Sequence, residues 1–379
     1  MSVGPPTSST RGGVPRWLKL ALLGPVGWGL GWGLALAPAW AEALYARGIH
    51  PAVVGPIAWL TSFSPWSVGE ILLLATIGGA VLLAIRGLRV VLRRSASPST
   101  VLGAGLRRVL AAAGVLYFVF QLTFGLGHAR RPFAELVGLD VRPAGASTLR
   151  QVCEDLGARA AARRPEEIEL RPDFDTAVAA AYVEAAAEHD VLEGPRPSIR
   201  RPWISRLLVL SSITGIYSPF TAEPHVAEGL PDSLVPFVAA HEVAHLRGFA
   251  REDEANFIAW WVGSASSDPE LAYSCELQAF RYAWARLRGI DPLGAEEVWR
   301  ALDPRVRGDA EAIWRFWQSQ PEVAHRTLSA VSNAVNHAYL QSAGHADGVR
   351  SYGRMVDLLI AALREDGGPR AGPRGFSRR

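Results

Sequence analysis

The stretch Phe237-Val-Ala-Ala-His241-Glu242-Val-Ala-His245-Leu-Arg-Gly248-Phe249 carries the pattern H-E-x-x-H. On a helix, residues four apart share a face, so His241 and His245 can bind one metal ion together. Glu242 falls beside that pair, where a carboxylate can take a proton from a metal-bound water. The chemistry this predicts is Zn2+-assisted hydrolysis. Outside the motif, everything from Leu234 to Leu246 is uncharged, as a helix buried beneath a cleft should be. The competing reading is a helix with two ordinary His and a solvated Glu.

Catalytic zinc usually takes three protein ligands plus water. Gly248 lies three residues past His245, where a chain can turn back toward the metal. Position 251 is Arg251, which cannot be a ligand; Glu252, Asp253 and Glu254 follow. If a helix starts there, Glu252 and Asn256 share a face and Glu254 points away. Glu252 is the expected third ligand, hydrogen-bonded by Asn256, with Glu254 the alternative. All three acids would also suit the positive end of a helix. Tyr217, His337 and Tyr352 are oxyanion candidates by residue type only, and His225 could approach from the preceding segment.

These residues need elements to hold them. Met1 to Gly13 is small, polar and rich in Pro and Gly, as disordered segments are. Residues 1–19 read as a cytoplasmic N-terminus and 20–127 as a membrane region with spans at about 20–41, 66–85 and 109–127. Ala39-Trp40-Ala41 also resembles a signal-peptidase site, but the apolar run is long for a signal peptide. Pro51 to Gly69, broken by three prolines, reads as a loop or interfacial segment. Arg86, Arg89, Arg93, Arg94, Arg107 and Arg108 fall between the second and third spans with no acid among them. The positive-inside rule puts that loop in the cytoplasm and everything after Gly127 outside. Arg130 and Arg131 weakly oppose this orientation.

A linker at 128–146 precedes a domain over 147–365, and 366–379 is a disordered tail. Helical spacing covers Ser147 to Arg164, with Ser147 as N-cap, and Asp173 to His189. Trp203 to Ser212 reads as a strand, and Ile213 to Val226 as an irregular extended edge. Zincins lay substrates along such an edge. The H-E-x-x-H helix opens near Asp232 or Ser233 and closes at Gly248. The rest is mostly helical, with breaks near Pro292, Pro304, Pro321 and Gly344. The fold class is a mainly α membrane protein: three N-terminal transmembrane helices, then a zincin-like α+β domain with a small sheet.

A net charge of +3 could suggest nucleic acid, but the Arg residues flank apolar runs and no aromatic–basic interleaving accompanies them. Two cysteines, Cys153 and Cys275, make no disulfide framework; they are one bond or two buried thiols. Glu70 is the sole ionisable group within the spans away from their ends, which argues against a transporter.

The run Ala239-Ala-His-Glu-Val-Ala-His-Leu-Arg-Gly-Phe-Ala-Arg-Glu-Asp-Glu-Ala-Asn-Phe-Ile-Ala259 resembles a domain-of-unknown-function family of bacterial membrane proteins grouped with the zincin metallopeptidases. Gly215-Ile-Tyr-Ser-Pro-Phe-Thr-Ala-Glu223 and Asp347-Gly-Val-Arg-Ser-Tyr-Gly-Arg-Met-Val-Asp-Leu-Leu359 extend the resemblance over most of the chain. Glu252-Asp-Glu-Ala-Asn256 is also similar to the E-x-x-A-D of membrane gluzincins that process CAAX-type substrates, whose first Glu is the third ligand. Asn256 replaces the Asp, and the gap after His245 is shorter. Arg251 stands where a metzincin has His. The resemblance implies a zinc endopeptidase in the bacterial cell membrane, with its catalytic domain on the extracytoplasmic side. Its expected partners are the lipid bilayer and a protein or peptide substrate, with no nucleic acid. The alternative is a catalytically inactive zincin serving as a scaffold or receptor domain.

Overall fold

A computed structural model describes residues 14–342 and 354–365. Its first part is apolar helix. Helices α1 (Arg16–Ala21) and α2 (Leu23–Ala35) run almost continuously. The chain breaks at Leu36 and Ala37, resumes as α3 (Pro38–Trp40), becomes π-helical over Ala41–Ile49, and continues as α4 (His50–Ser62). The two halves meet at 109°. Pro38 cannot donate to the preceding turn, so the break falls where the sequence forbids a straight helix. The expected first span therefore bends, and the Pro51–Gly69 stretch, expected as a loop or interfacial segment, is largely helix rather than loop, with Pro51 in the first turn and Pro56 inside.

Helix α5 (Val68–Leu92) is capped by Ser67, whose hydroxyl accepts the Glu70 N–H at 3.0 Å. Helix α6 (Pro98–Thr123) is capped by Ser97, with Pro98 in its first turn. Both are longer than the spans read from sequence. They are long and apolar enough to cross a membrane, and the bent pair would make a third crossing. Their side chains, such as Leu72, Leu82, Leu102 and Val109, are mostly exposed. Apolar surface left uncovered on this scale fits lipid as the neighbour.

The 128–146 stretch is not a bare linker: it carries α7 (Phe133–Val137). Helix α8 (Ala146–Arg163) opens one residue before Ser147, whose expected cap position is taken by Gly145. Next come α9 (Phe174–Glu188) and α10 (Ser205–Leu210). The last of these corrects the strand expected at Trp203–Ser212. Four apolar residues in a row, Leu207 to Leu210, do not distinguish helix from strand by period. Glu70 decides the matter, since its two carboxylate oxygens accept the N–H groups of Trp203 and Ile204 at 2.9 Å each.

Strands β1 (Gly215–Ser218) and β2 (Glu223–Val226) form an antiparallel pair, Ile216 opposite His225. The core follows: α11 (Val235–Leu246), α12 (Glu252–Ser264) and α13 (Pro269–Ile290) pack on one another, with α8 along α13 and β2 against α11. Leu156, Phe257, Ile258 and Phe280 are wholly buried here. Each such side chain contributes about 1.5–3 kcal/mol relative to exposure. The remaining helices are α14 (Pro292–Ala301), α15 (Pro304–Gln318), α16 (Glu322–Ser342) and α17 (Arg354–Glu365). Breaks at Pro292, Pro304 and Pro321 were expected; Gly344 and Tyr352 lie outside the described residues. Asp268, Asp291 and Asp303 cap α13, α14 and α15, each followed by Pro. Cys153 and Cys275 are two separate buried thiols.

The apolar N-terminal helices and the core are joined by polar locks. Glu223 on β2 accepts the N–H groups of Val68 and Gly69 at 3.0 and 2.7 Å, completing the start of α5. His225 bonds Ser67 Oγ at 2.8 Å, so it serves the fold rather than the candidate metal site. Arg130 is buried, pairs with Glu42 at 2.9 Å, and donates to the Arg247 carbonyl at 3.1 Å.

Candidate metal centre

Helix α11 ends in a two-bond turn. The Gly248 N–H reaches the His245 carbonyl at 2.9 Å, and the Phe249 N–H reaches the Ala244 carbonyl at 3.2 Å. Gly248 takes φ +84°, a conformation that side chains disfavour. The turn carries the Phe249 carbonyl back onto His245 Nδ1 at 2.7 Å. A carbonyl only accepts, so Nδ1 holds the proton and the Nε2 lone pair is free for a ligand. Burial pushes the His245 pKa down to about 4, which keeps the ring neutral.

The chain then reverses and starts α12 at Glu252. One Glu252 carboxylate oxygen lies 3.4 Å from His241 Nε2, and the other 3.7 Å from His245 Nε2. The three donors lie within 4.8 Å of one another. Burial opposes a charge on Glu252, but the two His outweigh it and bring its pKa to about 2. Burial likewise works against a proton on His241, yet Glu252 and Glu242 leave its pKa raised. The His241–Glu252 pair thus favours positive charge between its donors, in the place a divalent cation would take. Two imidazoles and one carboxylate are a donor set that suits zinc with an open position.

Asn256, one turn after Glu252, lies beside His241 and favours its charged form. Glu254, the alternative ligand, points elsewhere: it accepts from the Phe133 N–H at 2.7 Å and pairs with Arg251 at 2.8 Å. Glu242 is buried. Its Oε2 has no partner among the described residues, and burial drives its pKa up to about 8. Its Oε1 lies 2.5 Å from where a Cβ on Gly215 would be. Only glycine lets β1 pass so close to that carboxylate.

These groups line a cleft of about 830 Å³. Tyr217 is on its wall, with its ring 6.4 Å from that of His245 and its hydroxyl buried and unpartnered among the described residues. His337, farther along α16 than the lining residues Ser332 and Asn333, is not on the wall. Sequence reasoning missed the wall built by α13: Gln278, Arg281 and Tyr282. The Tyr282 hydroxyl reaches Asn256 Oδ1 at 3.5 Å. It also missed Phe124, at the end of α6, whose ring meets His245 edge-on at 5.5 Å.

Fold and site together define a mostly helical protein, with two or three helices apolar enough to cross a membrane and a buried His–His–Glu cluster beneath a cleft. The chain belongs to the DUF3810 family, described as "Protein of unknown function", whose profile matches residues 45–360. No curated protein and no solved structure matches the chain.

Proposed function

We propose that the protein is a membrane-anchored, zinc-dependent endopeptidase that hydrolyses peptide bonds of membrane or cell-envelope proteins. The observation that carries this reading is the convergence of His241, His245 and Glu252 from two helices, with Glu242 beside them on a cleft wall. Zinc held by those three residues would supply a Lewis acid that polarises the scissile carbonyl and acidifies water. Glu242, buried and ready to hold a proton near neutral pH, takes one from the attacking water and passes it to the leaving amine. The unpartnered Tyr217 hydroxyl donates to the developing oxyanion. Residues Thr214 to Tyr217 line the cleft, and β1 pairs only with β2 among the described strands. Its other edge suits an extended substrate bound through backbone hydrogen bonds.

The proposed orientation rests on charge along the apolar helices. The start of α5 is bonded to β2, and the end of α6 reaches the cleft. At the opposite end, Arg86 and Arg89 lie in the last turns of α5, Arg93 and Arg94 follow it, and Arg107 and Arg108 lie within the first half of α6. By the positive-inside rule that end is cytoplasmic, which puts the cleft on the extracytoplasmic side of a bacterial cell membrane.

The test is zinc content of detergent-purified protein. About one zinc per chain is expected in wild type, lost in His241→Ala and Glu252→Ala and kept in Glu254→Ala. Folded wild type that takes up no added zinc sinks the hydrolase reading and leaves the scaffold or receptor alternative.

A further inference from the structure

One face of α13 forms the cleft wall opposite the sheet. Residues Gln278, Arg281, Tyr282 and Ala285 all line it, at the spacing of a single helical stripe. Tyr282 ties this face to the candidate metal site through Asn256. Arg281 is the only Arg or Lys among the described lining residues. Several other partly or wholly buried arginines are matched by acids, Arg130 by Glu42, Arg159 by Glu276 and Arg164 by Asp309, while buried Arg247, away from the cleft lining, lies over the Tyr182 ring instead. Arg281 has no carboxylate partner among the described residues. It donates instead to the Gln278 side-chain oxygen. That bond fixes the amide's direction, leaving Gln278 Nε2 as the free donor. Gln278 is 3% exposed, and its Nε2 has no partner among the described residues. Burial lowers the pKa of Arg281, so the guanidinium is short of the solvation it would have in water.

A guanidinium and an amide N–H in one cleft wall, both in want of an acceptor, suit a carboxylate better than any neutral group. We propose that Arg281 and Gln278 form a carboxylate-recognition subsite, so that the preferred peptides present an anion there. The anion is either a free C-terminal carboxylate or an Asp or Glu side chain. This rests on the peptidase reading for the nature of the ligand, but the subsite is testable without turnover.

The experiment uses full-length protein in lipid nanodiscs and three fluorescent random-peptide pools. One pool is amidated and lacks Asp and Glu; one has the same composition with a free C-terminus; one is amidated with a single Glu. Binding is read by anisotropy on Glu242→Gln, and cleavage on wild type. At least one anionic pool should bind about tenfold or more tightly than the neutral one, as charge-assisted hydrogen bonds allow. A gain in the free-acid pool assigns the terminal carboxylate; a gain in the Glu pool assigns the side chain. The gap should close when Arg281→Gln is added. It should also close with Gln278→Glu, which keeps the arginine and supplies an internal carboxylate, so a misfolded Arg281 variant cannot decide the result. Equal binding of neutral and anionic pools, or a gap that persists in both variants, overturns the proposal. If wild type cleaves no pool but the Arg281-dependent gap is present, the peptidase reading falls and the subsite stands.

Discussion

Glu242 is buried without a full set of hydrogen-bond partners, and this shapes two expectations at the scale of single residues. Glu242→Gln should retain zinc and lose peptidase activity by at least about a hundredfold, the scale of a missing general base. Zinc analysis beside a cleavage assay checks both halves. The second concerns pH in metal-free protein. The folded-state pKa of Glu242 is about 8, above its ordinary 4.5. The fold therefore prefers the protonated form. Below about pH 4.5 both states carry the proton and there is no penalty. As pH rises toward 8 the folded state holds a proton the unfolded chain has released, and stability falls at about 1.4 kcal/mol per pH unit. Glu242→Gln should accordingly unfold at a higher temperature than wild type at pH 8 to 9, and at a similar one at pH 4. Thermal melts in chelator at the two pH values measure the difference; equal shifts at both would show that burial is not acting on this charge.

Among the elements, the turn after α11 and the passage of β1 over Glu242 set the site's shape. Gly215→Ala would place a methyl group 2.5 Å from Glu242 Oε1 and 2.8 Å from the His225 carbonyl. Backbone cannot yield there, so the carboxylate must move. Zinc content should be maintained while turnover drops by about an order of magnitude or more, as misplaced catalytic groups cost. Much of this element-scale layout was legible in the sequence. The i, i+4 His pair, the Gly at the helix end and the acid at the next helix start all speak through local spacing. What stayed hidden was set by distant partners. The two amides just before helix α10, those of Trp203 and Ile204, are held by Glu70, more than a hundred residues earlier in the chain. From sequence alone, Glu70 is merely an ionisable residue near a span end. Arg281 and Gln278 carry no motif; only the packing of α13 across the cleft from β1 gives them meaning. The prolines of α4 suggest a loop because their neighbours in space, which hold the helix in place, are invisible in one dimension.

For the molecule as a whole, the buried Arg130–Glu42 pair joins the bent N-terminal segment to the chain end of α11. Arg130 also stacks on Phe249, 4.0 Å from the ring centre. Arg130→Ala leaves buried Glu42 with only the half-exposed Arg47, 3.7 Å away, and loss of a buried partner costs up to about 3–5 kcal/mol. A large drop in melting temperature is expected, with a smaller one in Glu42→Gln/Arg130→Gln, where neither charge remains. If the single and double variants melt alike, the pair contributes nothing beyond its volume.

The contact of Phe124 with His245 has a further consequence. The wall of the cleft beside a candidate metal ligand is supplied by the residue that immediately follows an apolar helix, and α4 places Val54 and Ala58 in one cluster with Leu246 and Tyr217. There is no stalk at which the molecule can be severed into anchor and working part. A clip near residue 140 would strip one side from the site rather than release it. On this reading the site cannot be shed from its apolar helices, and a fragment begun at Ala146 should not hold zinc tightly.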